Sequence, residues 1–241
     1  MILDLLSREG REAARIRRAA KTLTERYAQP EPRMDAAERL VRIGTPEAIY
    51  QLARRFTITS GNLEQDDKEK RWVRDLLVEL EDRASEPVKR YLKGHDEITW
   101  AMDALAKLLP AGELAAFLFE VLQDGDPVAI RGSKAVQILD FLAGLEAEEV
   151  AAPVARCLTS SDDTVRIAAV AALRGYRDPD TREPLLEAFV SDEEDSVRVR
   201  IAIAELFADL EWEIRGHRPG VERVLPDGFR VSSRGRIVRA G

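Results

Sequence analysis

A short phrase that recurs in the C-terminal half constrains the fold more than any other feature of the chain. It reads Asp126-Pro127-Val128, then Asp163-Thr164-Val165-Arg166, then Asp195-Ser196-Val197-Arg198. The first two copies begin 37 residues apart and the last two 32 residues apart. A period in this range, built from helical segments, is typical of a solenoid in which each unit buries its apolar face against its neighbours.

Each copy of the phrase has the composition of a helix start. An Asp followed by Thr, Ser or Pro favours an N-terminus, because the carboxylate accepts a bond from an unpaired backbone N–H and Pro is tolerated at the first helical position. We therefore expect the aspartates to act as caps. The acids lack the alternating ligands, central Gly and terminal Glu of a calcium loop, so we predict no metal site.

Two further features follow each start at matching offsets. The positions that follow are small or apolar and should let adjacent helices approach closely; they are Gly132 and Ala135, then Ala169 and Ala172, then Ile201 and Ala204. The arginines of the second and third copies, Arg166 and Arg198, are expected to pair with an Asp of an adjacent unit.

The Asp-x-Val-Arg openings and the Ala-rich helices behind them, as in 163–173, resemble HEAT repeats, particularly the subgroup named after phycobilisome lyases. The resemblance covers about residues 34 to 214. More narrowly, the segments 43–50, 225–230 and 235–238 look like those of uncharacterised bacterial HEAT-repeat proteins of similar length. This resemblance implies an interaction scaffold and implies no catalytic residue.

The breaks in hydrophobic periodicity predict an all-α superhelix over residues 1–218, with five to six helix pairs and an N-terminal basic amphipathic segment at 1–33. Residues 219–241 should form a cap, in which strands 229–231 and 236–238 make a β-hairpin on the last repeat. The predicted helices are 8–28, 35–44, 46–57, 66–82, 85–94, 96–109, 111–123, 127–143, 147–159, 163–175, 181–190 and 195–213.

Composition limits the class of protein and the cellular compartment that we expect. With 241 residues and 45% hydrophobic content, the chain is long enough to bury a sizeable core. No apolar run reaches 18 residues, so we expect no membrane span, and the acid at Asp4 interrupts what would have to be a continuous secretory signal. A single cysteine, Cys157, suits a reducing cytoplasm and is expected in the core.

We find no motif that predicts catalysis or a cofactor. The two histidines, His95 and His217, each lie beside a Gly and are expected at helix C-termini. One enzymatic alternative shares the fold: HEAT-like DNA glycosylases, for which Trp100, Asp103 and Trp72 are the candidate residues. A net charge of −7 disfavours nucleic acid, since duplex binding needs a concentrated basic surface. A lyase-type protein-modifying enzyme is a further alternative.

The first candidate binding surface is the basic face of the N-terminal helix, formed by Arg8, Arg11, Arg15 and Arg18. Its opposite stripe is apolar and should dock on the protein; the stripe comprises Ala13, Ile16, Ala20, Leu23 and Tyr27. The basic face could contact an acidic protein, an anionic lipid surface or nucleic acid, or it could simply be a solvated face neutralised by nearby glutamates.

The second candidate surface comes from the resemblance to HEAT repeats, in which second helices line the concave side. The residues expected there are Tyr50, Arg54, Arg55, Arg90 and Lys93, followed by Glu113, Glu120, Glu148 and Arg156. This face would change from basic to acidic and could orient an extended peptide. Taken together, the sequence predicts a cytoplasmic, non-catalytic scaffold or adaptor that binds another protein.

Overall fold

Helices form most of the computed structural model, which describes residues 2–124, 132–145, 150–177 and 179–240. The chain divides into two compact units, Met1–Leu114 and Ala115–Gly241. The first unit contains α1 (Ile2–Leu23), α2 (Pro30–Ile43), α3 (Pro46–Ala53), α4 (Leu63–Glu79), α5 (Asp82–Gly94) and α6 (Thr99–Leu108). Helix α7 (Ala111–Asp124) crosses the boundary. No helix in the described part is long and apolar enough to span a membrane.

The second unit continues with helices and ends in two strands. The elements are α8 (Gly132–Ala143), α9 (Ala151–Ala155), α10 (Asp163–Tyr176), α11 (Arg182–Val190), α12 (Val197–Leu210), α13 (Arg218–Val224), β1 (Phe229–Val231) and β2 (Ile237–Arg239). Short 3-10 turns follow α3 and α9 and precede α11. The predicted all-α class with a C-terminal hairpin is confirmed.

Within each unit the helices pack in two layers. In the first unit α4 packs against α2 and α6 in one layer, while α3 packs against α5 in the other, and α1 lies on α2 and α3. In the second unit α10 packs between α8 and α12, and α11 contacts α13 in the opposite layer. Alternation of first and second helices between two layers is the arrangement of an α-solenoid.

Local chemistry explains the junction between α2 and α3. Gly44 ends α2 in the left-handed conformation, with φ of 64°, and its N–H donates to the Leu40 carbonyl. Thr45 then caps α3 by accepting from the Ala48 N–H, and Pro46 takes the first helical position. The Gly44-Thr45-Pro46 junction is where the sequence predicts it.

Prolines at 30 and 32 begin a helix instead of ending one. The sequence predicts that α1 runs to residue 28 and that the next helix begins at 35. In the structure α1 ends at Leu23, and Pro30 occupies the first position of α2. A proline there loses no intrahelical hydrogen bond, since the first N–H groups have no partner within the helix.

The repeated phrase forms helix starts, but the acids act differently from the prediction. Asp162, one residue earlier, caps α10 by accepting from the Thr164 N–H at 2.9 Å. Asp163 instead accepts from the Ser196 hydroxyl at 2.9 Å and pairs with Arg198 at 3.5 Å, which confirms the predicted link between repeats. Asp195 lies outside α12, whose N-cap is Ser196. The predicted capping by Asp163 and Asp195 is therefore wrong, and Asp126 lies outside the described residues.

The shift in helix start changes which positions correspond. Counted from the caps Asp162 and Ser196, the buried Ala169 and Ala172 correspond to Ile203 and Leu206, which are fully buried. Ile201, predicted to be a packing position, is 36% exposed. In the third copy, the helix thus begins two residues later than the alignment of Asp195 with Asp163 predicts.

Close approach of helices explains the glycine at the start of α8. A Cβ added at Gly132 would overlap the Asp162 carboxylate, so no larger residue fits there without movement. This contact brings the beginning of α8 against the beginning of α10, as the small residue in the first copy of the phrase predicts.

The C-terminal segment contains a helix that the sequence did not predict, α13, followed by the hairpin. Strands β1 and β2 are antiparallel, with Val231 opposite Ile237. β2 packs on α12, and Ile237 is 1% exposed. Two ion pairs hold the hairpin to the end of α12: Arg239 with Asp209 at 2.8 Å and Arg236 with Glu211 at 2.9 Å.

Candidate protein-interaction surfaces

Helix α1 presents its basic face to solvent. Its apolar stripe packs on α2 and α3, with Ile16, Ala20 and Leu23 buried. Arg15 and Arg18 are exposed and form no ion pair with any described residue. Arg11 is exposed as well, and the side chain of Arg8 lies outside the described part of the chain. The structure therefore places three of the four predicted arginines at the surface.

The surface is broader than the predicted stripe. Arg17 and Lys21 are also exposed, and neither has a carboxylate partner among the described residues. Tyr27 was expected on the buried stripe, which is wrong: it lies beyond the end of α1, is 85% exposed, and carries the Arg26 guanidinium 5.9 Å from its ring centroid.

Many exposed arginines elsewhere behave differently. They form ion pairs with nearby carboxylates; examples are Arg90 with Glu47, Arg218 with Glu222, Arg223 with Asp192, and Arg239 with Asp209. Arg15, Arg17 and Arg18 form no ion pair with a described residue, and each guanidinium carries five N–H donors suited to carboxylate or phosphate.

Tyr50 and Arg90 form the centre of the second candidate surface. The Arg90 guanidinium lies 3.6 Å from the Tyr50 ring centroid and donates to Glu47 at 2.7 Å. Gln51 donates to the other Glu47 oxygen at 2.8 Å, and Arg54 donates to Gln51 at 2.9 Å. These side chains join α3 to α5 and hold Arg90 against the aromatic face.

The pKa of Glu47 reflects this arrangement. Burial by itself raises the pKa of the carboxyl, but hydrogen bonds from Gln51 and Arg90, together with the charges of Arg90 and Arg54, lower it below its usual value. Glu47 is therefore ionised at neutral pH and neutralises Arg90. Lys93, the remaining predicted residue of this group on α5, is exposed.

Arg55 was predicted on the exposed face, and this is wrong. Its side chain is fully buried, and its guanidinium donates to Asp66 at 2.7 Å and to Glu69 at 3.0 Å. Glu69 also receives two bonds from the buried Arg33, at 2.7 and 2.8 Å, and Asp66 pairs with Lys70 at 2.8 Å. We call these five residues the buried charge network.

Electrostatics keep the two acids of the buried charge network ionised. Burial raises the pKa of Asp66, but hydrogen bonds from Lys70, Arg55 and the Ser60 N–H outweigh it and lower the pKa to about 2. The pKa of Glu69 is lowered against the same effect of burial by Arg33 and Arg55. The network is a satisfied internal structure rather than a binding site.

The histidines occupy two different helix ends. His95 follows α5, so its predicted C-terminal position is confirmed; its Nδ1–H donates to the Tyr91 carbonyl at 2.9 Å, and its ring stacks on the Tyr91 ring at a centroid distance of 4.3 Å. His217 precedes α13 and contacts Glu183 at 2.6 Å, so the prediction of a C-terminus is wrong there. Burial raises the pKa of the Tyr91 hydroxyl, which donates to the Glu97 carbonyl.

The remaining predicted surface residues belong to different units or lie outside the described part of the chain. Glu113 pairs with Lys89 at 3.2 Å within the first unit, while Glu120 and Arg156 are exposed in the second. Glu148 lies outside the described residues. Cys157 is half-buried, and burial raises the pKa of its thiol. In the part of the chain that the structure describes, no three His, Cys, Asp or Glu side chains are grouped as metal ligands.

The residues of the glycosylase alternative are engaged in structural contacts. Asp103 pairs with Arg74 at 2.5 Å, and the Arg74 guanidinium lies 6.0 Å from the Trp100 ring centroid. Trp72 is half-buried on α4. Arg74 of α4 therefore neutralises the Asp103 carboxylate of α6.

A groove lies where α1 meets the start of α3 and the middle of α5, and we call it the α1–α3 groove. Its volume is about 660 Å³. The residues that line it are Glu9, Glu12, Ala13, Ile16, Arg17, Thr45, Pro46, Glu47, Gln51 and Arg90. Sequence reasoning missed this groove, because only the packing of α1 on α3 brings its two walls together.

Paired helices that pack in two layers within each unit define a helical repeat protein. Residues 115–206, within the second unit, match the family model described as HEAT repeats. This part of the second unit therefore consists of HEAT repeats. No curated protein matches the chain by sequence. The narrower resemblances, to the phycobilisome-lyase subgroup and to bacterial proteins of similar length, stay predictions.

Proposed function

We propose that this HEAT-repeat protein is a non-catalytic scaffold or adaptor that binds an acidic protein partner through the basic face of α1. HEAT repeats commonly serve as protein-interaction scaffolds. We further propose that it acts in the cytoplasm, on the basis of its single cysteine.

The observation that carries the proposal is the set of exposed, unpaired cations on one helix. Arg15, Arg17, Arg18 and Lys21 lie within seven residues and have no carboxylate partner among the residues described. Ile16, Ala20 and Leu23 of the apolar stripe are already buried against the protein, so these side chains are not available to insert into a lipid surface. The chain as a whole carries a net charge of −7, which opposes binding to a polyanion such as duplex DNA.

Affinity capture of the full chain, followed by mass spectrometry, tests the proposal. We compare the wild type with the Arg15→Glu/Arg18→Glu variant and with a matched Arg230→Glu/Arg234→Glu control, whose exposed tail arginines change charge by the same amount. We expect an acidic protein that the wild type and the control retain and that the α1 variant loses. Because charges at an interface rim act mainly on association rate, raising the salt concentration should weaken capture.

Two results would contradict this function. Salt-dependent retention of duplex DNA, with no protein captured, would favour the nucleic-acid-binding alternative. A covalently modified partner, or a bound chromophore released on denaturation, would favour the lyase-type alternative.

A further inference from the structure

We propose that the α1–α3 groove binds a short extended segment of a protein partner, in which a basic and an acidic side chain lie two to four residues apart with an apolar side chain between them. The inference rests on the proposed scaffold function and adds a second contact surface with its own chemistry.

The floor of the groove is apolar. Ala13 and Ile16 of α1 and Pro46 of α3 line it, with Ile16 6% exposed. A volume of about 660 Å³ is within the range of sites that take several ligand side chains. An apolar partner side chain placed on this floor would remove more apolar surface from water, which stabilises the complex.

Charges along α1 differ between the two ends of the groove. Glu9 and Glu12 are exposed and have no polar partner among the described residues, while Arg17, toward the other end, has no ion pair there either. A basic side chain of the bound segment is therefore favoured near Glu9 and Glu12, and an acidic side chain near Arg17.

The spacing of these charges sets the length of the segment. Glu12 and Arg17 are five residues apart and Glu9 and Arg17 eight, which corresponds to about 7.5 and 12 Å along a helix. An extended chain advances about 3.3 Å per residue, so two to four residues cover these distances.

The opposite wall is electrically neutral and held in place. Glu47 and Arg90 pair at 2.7 Å, and the Tyr50 ring supports the guanidinium from below at 3.6 Å. Because Glu47 and Arg90 neutralise each other, the charges that select a bound segment are those of α1.

The test is selection from a displayed library of random seven-residue peptides, with the full chain as bait. The baits are the wild type, a Glu9→Lys/Glu12→Lys variant, an Arg17→Glu variant, the Arg15→Glu/Arg18→Glu variant, and a Glu25→Lys/Glu31→Lys control that changes the same charge outside the groove. All of these positions are exposed, and circular dichroism with thermal melting verifies that each variant is folded. Synthetic copies of the enriched peptides are then measured for affinity.

The wild type and the control should enrich peptides with a base and an acid two to four residues apart around an apolar residue. The Glu9→Lys/Glu12→Lys variant should bind them about tenfold more weakly and select an acid in place of the base. The Arg17→Glu variant should lose the preference for the acid.

The inference is overturned if no peptide is enriched, if the enriched peptides carry one sign of charge only, or if the groove variants bind them as the wild type does. Self-association that Glu9→Lys/Glu12→Lys abolishes would overturn it too, by identifying a second copy as the occupant. Peptides lost only by Arg15→Glu/Arg18→Glu would refute the groove while supporting the proposed function of α1.

Discussion

Arg33 and Arg166 occupy the same position in their helices and make corresponding hydrogen bonds. Each is the fourth residue of its helix, α2 or α10, and each donates from Nε and Nη2 to both oxygens of one glutamate, Glu69 or Glu194, at 2.7 to 2.8 Å. Each Nη1 donates to a carbonyl that precedes its own helix, of Ala28 or of Ser160. The two units therefore use one device to join consecutive repeats.

Arg200, the fourth residue of α12, does not continue this link between repeats. Arg200 donates to the carbonyls of Phe189 and Ser191 and, within the described residues, to no carboxylate. After α12 the chain supplies α13 and the hairpin in place of another pair of repeat helices. Arg200, rather than Arg198, is thus the counterpart of Arg166.

Replacing Arg55 should destabilise the protein strongly. An Arg55→Met change leaves Asp66 and Glu69 buried with fewer partners, and breaking a buried ion pair costs about 3–5 kcal/mol. Arg54→Met is the matched control: Arg54 is half-buried and its guanidinium donates to the Gln51 side chain, so we expect a loss below about 1 kcal/mol. Denaturant titrations followed by circular dichroism measure both. Equal losses would show that the network is not stabilising.

Acid should lower the free energy of unfolding over a defined pH range, because it protonates Asp66 of the buried charge network. The folded pKa of Asp66 is about 2, below its unfolded value, so its ionised form stabilises the fold above pH 4. That contribution, roughly 2 kcal/mol, is lost as pH falls from about 4 to about 2. Unfolding free energies measured across this range should show a smaller slope for Asp66→Asn than for the wild type. An unchanged slope would contradict the assignment.

Reversing the basic face of α1 should leave stability nearly unchanged. Arg15→Glu/Arg18→Glu should alter the free energy of unfolding by less than about 1 kcal/mol, because exposed charges contribute little to folding. Ile16→Ala, on the buried stripe of the same helix, should cost about 2–5 kcal/mol. Thermal melting of the two variants compares them. If the charge reversal unfolds the protein, the basic face is structural.

Removing residues 219–241 should lower the melting temperature and increase self-association. The deletion takes away the buried Ile237 and the ion pairs that Arg236 and Arg239 make with the end of α12. End repeats have no further neighbour, so they need a covering element for solubility. Melting curves and sedimentation measure both effects.

Point variants distinguish a C-terminal segment that caps the last repeat from one that is a free binding arm. Ile237→Asp should reproduce the destabilisation caused by the deletion, whereas Arg234→Glu, at an exposed position in the hairpin turn, should not. A truncated chain that stays monomeric and equally stable would show that the tail is a binding arm instead.

The basic face of α1 was predictable because amphipathic periodicity within one helix decides which side faces out. Arg15 and Arg18 lie opposite the buried stripe, as the spacing predicts. Arg17 was missed, because it lies near the boundary of that stripe and only the walls supplied by α3 and α5 make it part of a groove.

The sequence by itself determined the helical repeat class, the Gly44-Thr45-Pro46 junction and the C-terminal hairpin, since turns, caps and periodicity depend on residues a few positions apart. Tertiary structure alone decided that Arg55 is buried while Arg90 is exposed. Both are arginines on second-layer segments, and their environments differ because Asp66 and Glu69 of the next helix approach one and the Tyr50 ring supports the other. Tertiary structure also decided where the third copy begins its helix: α12 packs on α10 with Ile203 and Leu206 buried, and this burial outweighs the local capping preference of Asp195.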